Sequence, residues 1–388
     1  MWRTLFLLLA FAYASAGHAA DWYETRGWAP IINGNVDAAR VRAIENALRQ
    51  SLDLAGGSVH SVEDVVDGVI TGQRMQWRSN GAIEHAELVR ERTNKQRHEV
   101  TLRTLVRADV GACEGTHYKP TVVLTPFEVA QAEHLNHGQI HGIAEASSFR
   151  FSRLLGQHSQ TLRVAQLLKG QQGVSRYLDS NRNIQLAEFT RRIAREYNSQ
   201  YILSGVFHDL SATPAEGVNL TFWRHPTYNR QFELSLYLLD GYSGELLTTA
   251  SISGQAPWSY AYNEPVDVTS ESFWQGDFGK QLETRMRDLV YGIDEQLQCK
   301  GLKGLVVRTE SDNVYINLGE RHLLTLGTKA QLLHRGGFLD ELGQYREQWV
   351  VNPVELEVTQ LYGNSSVLRA SNGEALVGIQ ERDLILIK

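Results

Sequence analysis

From Gly301 to Lys388 no stretch of the chain sustains helical periodicity. GLVVRTE, NVYINLG, TKAQLLHR, EQWVVNPVELEVTQLYGNSSVLRAS and DLILIK follow one another as apolar-rich runs separated by Gly, Asn, Asp and Pro. Short strands at such close spacing predict a small all-β barrel at the C-terminus. Val314, Ile316 and Leu318 share one side of a strand, Gly319 turns the chain, and Leu326-Gly327 turns it again. Pro353 lacks a backbone N–H to donate, so it is expected at a strand start or an edge.

The opposite end has a different grammar. Arg3 precedes an apolar run from Leu5 to Tyr13, and small residues follow up to Ala20. That is the layout of an export signal over residues 1–20, and the run is too short to cross a bilayer. Export is therefore expected, with no transmembrane segment in the mature chain. A net charge of −6 argues against a nucleic-acid partner, which demands a basic face. The basic runs Arg90 to Arg97 and Arg191 to Arg195 are interleaved with acids or apolar residues and read as solvated faces.

Between the two ends, 388 residues leave room for more than one core. Residues 21–112 read as an N-terminal α/β domain. WYETRGWAPI is a strand, and Ala43, Ile44, Ala47, Leu48 and Leu52 then recur at helical spacing after a cap at Asn35 or Asp37. SVHSVEDVVDG, AIEHAELVRER and EVTLRTLVRADV alternate as strands, and GACEGTHYKP is a linker. Residues 118–299 read as a second α/β unit. TVVLTPF and YILSGVF are strands; Leu186, Phe189, Ile193 and Tyr197 mark one helix. FELSLYLLD and ELLTTASISG form a hairpin about Asp240-Gly-Tyr-Ser-Gly244, and Phe278 to Leu297 closes the unit as a helix. PWSYAYNEPVDVTSESFWQGDF, between hairpin and helix, reads as a surface loop open to a partner. Residues 301–388 are the barrel. The whole is an α+β multidomain chain.

Catalytic signatures are missing. The sequence holds no G-x-S-x-G elbow, P-loop, G-x-G-x-x-G fingerprint or H-E-x-x-H. Adjacent carboxylates such as Glu63-Asp64 face opposite ways on a strand. In EHLNHGQIH, His134, His137 and His141 with Glu133 suggest zinc, but the Asn136-Gly138 stretch weakens a helix there and solvated histidines are expected. Neither an enzyme nor a cofactor is expected. Cys113 and Cys299 are the two cysteines, and an exported chain with an even count predicts one disulfide between them. Two free thiols, or chemistry at Cys113 with His117, are the other readings. The bridge would close a loop long enough for about 5 kcal/mol in the chain-entropy account.

In order, WYETRGWAPIINGNVDAARVRAIENALRQSL, TVVLTPF, YILSGVF, LYLLDGYSGELL, VYINLGERHLLTLGTKAQLL and VELEVTQLYGNSSVLRAS resemble the flagellar assembly protein T family over nearly the whole mature chain. The resemblance implies an N-terminal α/β domain, a middle domain similar to the N-terminal domain of TolB, and a small C-terminal β-barrel. It implies a periplasmic, non-enzymatic component of the H ring of the flagellar basal body, supporting assembly of that ring and of the stator-anchoring T ring. Other ring proteins of the basal body, including the LP ring, are the implied partners, and a monomer in solution is expected. A soluble periplasmic adaptor or envelope-binding module with a TolB-like domain is the alternative. No catalytic residues come with the family.

Overall fold

The structure is a computed structural model describing residues 20–32, 34–55, 83–94, 96–107, 117–170, 173–178, 183–214, 228–298, 300–340 and 343–387. It is a mixed α+β molecule in which sheets dominate. The export signal, the SVHSVEDVVDG strand, Glu63-Asp64, most of the GACEGTHYKP linker and both cysteines of the expected bridge, Cys113 and Cys299, lie outside the described residues.

The first segment follows its sequence pattern. Strand β1 (Ala20–Pro30) leads to helix α1 (Val36–Ala55), then to the hairpin of β2 (Ile83–Thr93) and β3 (Arg97–Arg107). Asn35 caps α1, its Oδ1 accepting the Ala38 N–H at 3.0 Å. Tyr23, Thr25, Gly27 and Ala29 line the face of β1 under the helix, where Ala39, Ala43 and Ala47 form a row of small side chains. The strand and helix approach so closely that a Cβ on Gly27 would sit 1.9 Å from the Ala43 carbonyl oxygen. Thr25 belongs to the same contact, its Oγ1 donating to Ala47 O at 2.9 Å.

The middle segment builds a second sheet. Its strands are β4 (Thr121–Leu124), β5 (Glu128–Val129), β6 (Arg163–Leu167), β7 (Tyr201–Asp209), β8 (Ala212–Pro214), β9 (Tyr228–Asp240) and β10 (Leu246–Trp258). The main order is β10-β9-β7-β4-β6, with β4, β6 and β7 parallel and the β9–β10 hairpin antiparallel. Helix α2 (Ile143–His158) connects β4 and β5 to β6, α3 (Asn183–Glu196) connects β6 to β7, and α4 (Glu271–Gln275) and α5 (Asp277–Leu297) follow β10. Leu186, Phe189 and Ile193 of α3 cover one face with Val123, Ile202 and Leu239; Leu282, Met286, Leu289 and Ile293 of α5 cover the other with Leu203, Leu234 and Leu236. Helices on both faces explain why YILSGVF is buried throughout and why β9 is apolar beyond its alternating set.

The segment after β10 is irregular and exposed over 261–265, as the sequence reading expects, but differs from it elsewhere. Trp258, Val266, Val268, Phe273 and Trp274 are buried in the middle core rather than displayed on a surface loop. The backbone is anchored by Gly138 N–H to Tyr262 O and Val266 N–H to Gly138 O, both 2.9 Å. Beneath it, the fully buried Arg230 donates to the carbonyls of Leu210 at 2.7 Å, His134 at 3.2 Å and His137, and lies 4.0 Å from the Trp258 ring centroid. Burial lowers its pKa to about 10.

The last segment supplies β11 (Leu302–Glu310), β12 (Asn313–Ile316), β13 (Lys329–Leu339), β14 (Tyr345–Leu361), β15 (Ser366–Ala370) and β16 (Leu384–Ile387). Their pairings run β13-β16-β11-β12-β15-β14, and β13 also pairs with β14, so the six strands close a ring. Leu302, Ile316, Leu332, Leu356, Leu368 and Ile385 fill it. Pro353 neither starts a strand nor marks an edge. It sits inside β14, where the register with β13 jumps from Gln331–Glu355 to Leu333–Val351, a bulge that needs no proline N–H.

The ring is not separate from the first segment. β1 pairs in parallel with β14 through Tyr23–Trp349 and Glu24–Val350, so one nine-stranded sheet runs from β13 to β2. Leu333, Val351, Leu384 and Leu386 belong to the same hydrophobic cluster as Tyr23, Ile44 and Leu48.

Candidate functional site at the junction of the three segments

A polar constellation lies where the three segments meet, and it begins with local rules. Two residues beyond the end of α3 lies Asn198, whose φ of 48° is a left-handed conformation that asparagine tolerates. Its side chain then reaches the last segment, Nδ2 donating to Asn317 O at 3.0 Å while Asn317 Nδ2 donates back to Asn198 Oδ1. Asn317 Oδ1 accepts the Leu305 N–H at 2.6 Å. Next along the chain, Gln200 Oε1 accepts the Lys303 N–H at 2.9 Å, and its Nε2 donates to Tyr201 Oη at 2.9 Å and Gly301 O at 3.3 Å.

The β9–β10 turn brings in the charge. Asp240 Oδ1 accepts the N–H groups of Tyr242 at 2.8 Å and Ser243 at 3.0 Å, the Asx turn its sequence predicts. Its Oδ2 lies 3.5 Å from Lys303 Nζ, and Tyr242 Oη donates to Lys303 O at 3.0 Å. Gly244, with φ of +82°, closes the turn against α3, where a Cβ would sit 2.6 Å from Ala187 O. Asp21 of β1, Glu245, Lys300 and Trp349 line the same small cleft.

Burial works against the charge on Lys303, yet Asp240 and Asp21 outweigh it and hold the ammonium above its ordinary pKa. Burial, with Lys303 nearby, lowers Lys300, whereas burial and the charges of Asp21 and Asp240 raise Glu245. Burial raises the phenols of Tyr23, Tyr201 and Tyr242, which stay neutral hydrogen-bonding groups. The arrangement is chemically a clamp: Lys303 faces Asp240, and Asp240 also faces two backbone N–H groups.

A second contact joins the middle segment to the ring at His322. Its carbonyl accepts the Lys119 N–H at 3.5 Å and its Nδ1 accepts the Gly319 N–H at 3.2 Å. Burial, helped by the Arg163 charge, lowers its pKa to about 4, so the imidazole is neutral.

The histidines singled out in the sequence are not brought together. Residues Ala132–Leu135 form one short 3-10 turn. His134 sits 3.3 Å from Asp209 and accepts the Leu210 N–H at 3.2 Å, while His141 is exposed. His137 corrects the expectation of solvation, because it is buried with ring centroids of Tyr228 at 4.5 Å and Tyr262 at 5.2 Å, and burial lowers its pKa. Among the described residues no group of three His, Cys, Asp or Glu is placed to hold a metal ion. The sequence reading missed Lys303, Gln200 and Asn317. The signal available was local: Asp240 and Asn317 both sit in turn-forming stretches, but nothing nearby marks their partners.

Models of the flagellar assembly protein T domains match the chain in order: the N-terminal domain over residues 21–110, the middle domain over 111–268 and the C-terminal domain over 311–387. The chain belongs to the flagellar assembly protein T family. Membership places this protein in flagellar assembly at the basal body, a structural role consistent with a non-enzymatic chain. No curated protein sequence matches it. Among solved structures, the PelC dodecamer from Paraburkholderia phytofirmans is 12% identical, covers 48% of this chain and 94% of its own, and gives a TM-score of 0.26. Lipoprotein GNA1162 from Neisseria meningitidis is 7% identical with coverages of 45% and 97% and a TM-score of 0.25. The hypothetical protein CT253 from Chlamydia trachomatis is 13% identical with coverages of 47% and 98% and a TM-score of 0.29. At these scores the likenesses carry no functional weight. No helix among the described residues of this family member is long and apolar enough to cross a membrane.

Proposed function

We propose that this flagellar assembly protein T family member is a periplasmic structural subunit of the basal-body H ring, and that it supports assembly of the stator-anchoring T ring. One observation carries the reading beyond family membership. The first and last segments share one sheet and one hydrophobic cluster, and the middle segment is clamped to the last by buried polar contacts. A subunit built this way presents fixed faces to its neighbours, as a ring requires. The same reading includes an export leader at residues 1–20, units at 21–112, 118–299 and 301–388, a TolB-N-like middle unit, a barrel-type C-terminal unit and a Cys113–Cys299 bridge.

Deletion of the chain is expected to leave cells with few or defective flagella and basal bodies without the outer ring in electron micrographs. Intact rings and normal swimming would overturn the proposal. Recovery with envelope partners rather than with detergent-extracted basal bodies would favour the adaptor reading instead.

A further inference from the structure

Strand β1 has two flanks, and only one is paired along its whole length. β3 accompanies it from Ala20 to Pro30, whereas β14 meets it only at Tyr23 and Glu24. Ile31 donates to Gln96 O on the β3 side at 2.8 Å, so by strand alternation the backbone groups of Arg26 and Trp28 point to the other flank. There Trp28 O accepts Asn46 Nδ2 at 2.9 Å, while the Arg26 N–H and C=O and the Trp28 N–H meet no strand among the described residues. A cleft of about 300 Å³ opens into this gap, and its lining includes Arg26, Trp28, Asn46, Arg49, Gln50 and Leu54. Its charge is unbalanced: Arg26 and Arg49 are exposed, and neither has a carboxylate partner among the described residues. Arg26 rises from the face of β1 opposite α1, and Arg49 from α1 itself, so the two guanidiniums flank the open edge from both sides. Trp28 adds an aromatic surface that is 55% exposed, with Arg97 5.9 Å from its ring centroid. Gln50 Oε1 is buried in the same lining without a donor.

We infer that this cleft binds an extended acidic peptide, which adds to the open flank of β1 as a short strand. A free anion answers the arginines but nothing else. It brings no donor for the Arg26 C=O or for Gln50 Oε1, and no row of peptide groups to meet Arg26 and Trp28. An added strand supplies donors and acceptors at the spacing of the edge, and its side chains supply the charge. Neighbouring side chains on a strand face opposite ways, so two consecutive carboxylates reach Arg26 on one side and Arg49 on the other. A basic peptide would meet two uncompensated guanidiniums, and a neutral one would leave them unpaired. This site goes beyond the ring reading, since what it recognises is a short stretch of sequence rather than a place in an assembly.

The probe is the blocked peptide acetyl-Thr-Val-Glu-Asp-Val-Thr-amide bearing a neutral dye, titrated with the purified full-length protein and followed by fluorescence anisotropy. Half-saturation is expected below about 1 mM, with weaker binding as salt rises, because exposed charge pairs are screened. Arg26→Gln with Arg49→Gln is expected to weaken binding about tenfold, and replacing Glu-Asp by Gln-Asn in the peptide should do the same. Arg26→Glu with Arg49→Glu should transfer the preference to a Lys-Lys peptide. Peptides N-methylated at alternate residues separate a strand ladder from plain charge attraction, since one of the two alternating sets must lose binding. Circular dichroism and thermal unfolding check that the variants are folded. No anisotropy change up to that concentration, arginine variants that bind as the wild type does, or indifference to both N-methylated sets would each overturn the inference. Displacement by equimolar citrate would make the cleft an anion site instead. A sedimentation coefficient that climbs with protein concentration while peptide binding falls would assign the cleft to a second copy, and either result also overturns the peptide.

Discussion

The first segment is joined to the last by a seam unlike the one that joins the middle segment to the last. Between first and last, a strand ladder and an apolar cluster are continuous: β1 lies against β14, and Leu333, Val351, Leu384 and Leu386 sit in the core under α1. On the far face Trp22 meets Phe338 with ring centroids 5.0 Å apart, and Arg103 lies 4.0 Å from the Phe338 centroid while bonding Gln348 at 2.7 Å. Between middle and last, the contact is polar: Lys303 with Asp240, Gln200 with Lys303 and Gly301, Asn198 with Asn317. Apolar burial is non-directional and involves no titratable group. Buried polar pairs hold only one geometry and respond to protonation. The difference teaches that two of the segments are one folding body and that the third is set against it at a defined angle.

Four outcomes would sharpen or break that contrast. The largest effect is expected at Leu386, buried in the shared cluster and packed so tightly that a Cβ on Gly301 would sit 2.6 Å from its Cδ1. Leu386→Ala is expected to cost about 4 kcal/mol. Hydrogen exchange should show first and last segments loosening together; protection lost from the last segment alone would break the single-body view.

The next effect is pH-dependent. Unfolded, His322 takes up a proton near 6.5, whereas folded it does so only at about 4. The stability owed to its neutral form is therefore complete above pH 6.5 and disappears as pH falls toward 4, a loss of about 3 kcal/mol. Denaturant titrations at pH 7 and pH 4 should show a smaller loss in His322→Gln than in the wild type, and equal losses would contradict the assignment.

Lys303→Met should cost about 2 kcal/mol, less than a fully buried pair, because Asp240 keeps its two backbone donors. The discriminating readout is exchange at the amides of Tyr242 and Lys303, which should quicken while β1 stays protected. Asn317→Ala is the mildest, about 1 kcal/mol, and should shift the same amides in the same direction. If either substitution instead exposed the β1–β14 ladder, the two seams would not be independent.

How much of this was legible in advance depended on the range of the interaction. Local patterns were readable: the Asn35 cap, the alanine and leucine stripes of α1, the Asp240 turn and the apolar face of α5 all follow from residues within a few positions of each other. Tyr237 and Leu239, partly or fully buried against α3, were harder to anticipate, because the alternation of β9 describes only one of its two covered faces. The stretch from Trp258 to Phe278 looked like a surface loop since it lacks periodicity. Residues 261–265 are indeed exposed, but Trp258, Val266, Val268, Phe273 and Trp274 pack because an arginine-braced floor gives them a core to fill. The parallel pairing of β1 with β14 left no mark on either strand, since register between chain ends is written in neither sequence alone.

That pairing also dictates an order of events. Synthesis delivers β1 before β14, so the flank of β1 that receives β14 stays bare until every element between them has emerged. Ladders between such distant partners form slowly, because the intervening chain must be gathered before any contact is gained. The middle segment, whose strands and helices alternate in sequence, has its partners at hand and is free to fold early. It would then hold the two ends near each other, turning a search across the whole chain into a local docking step.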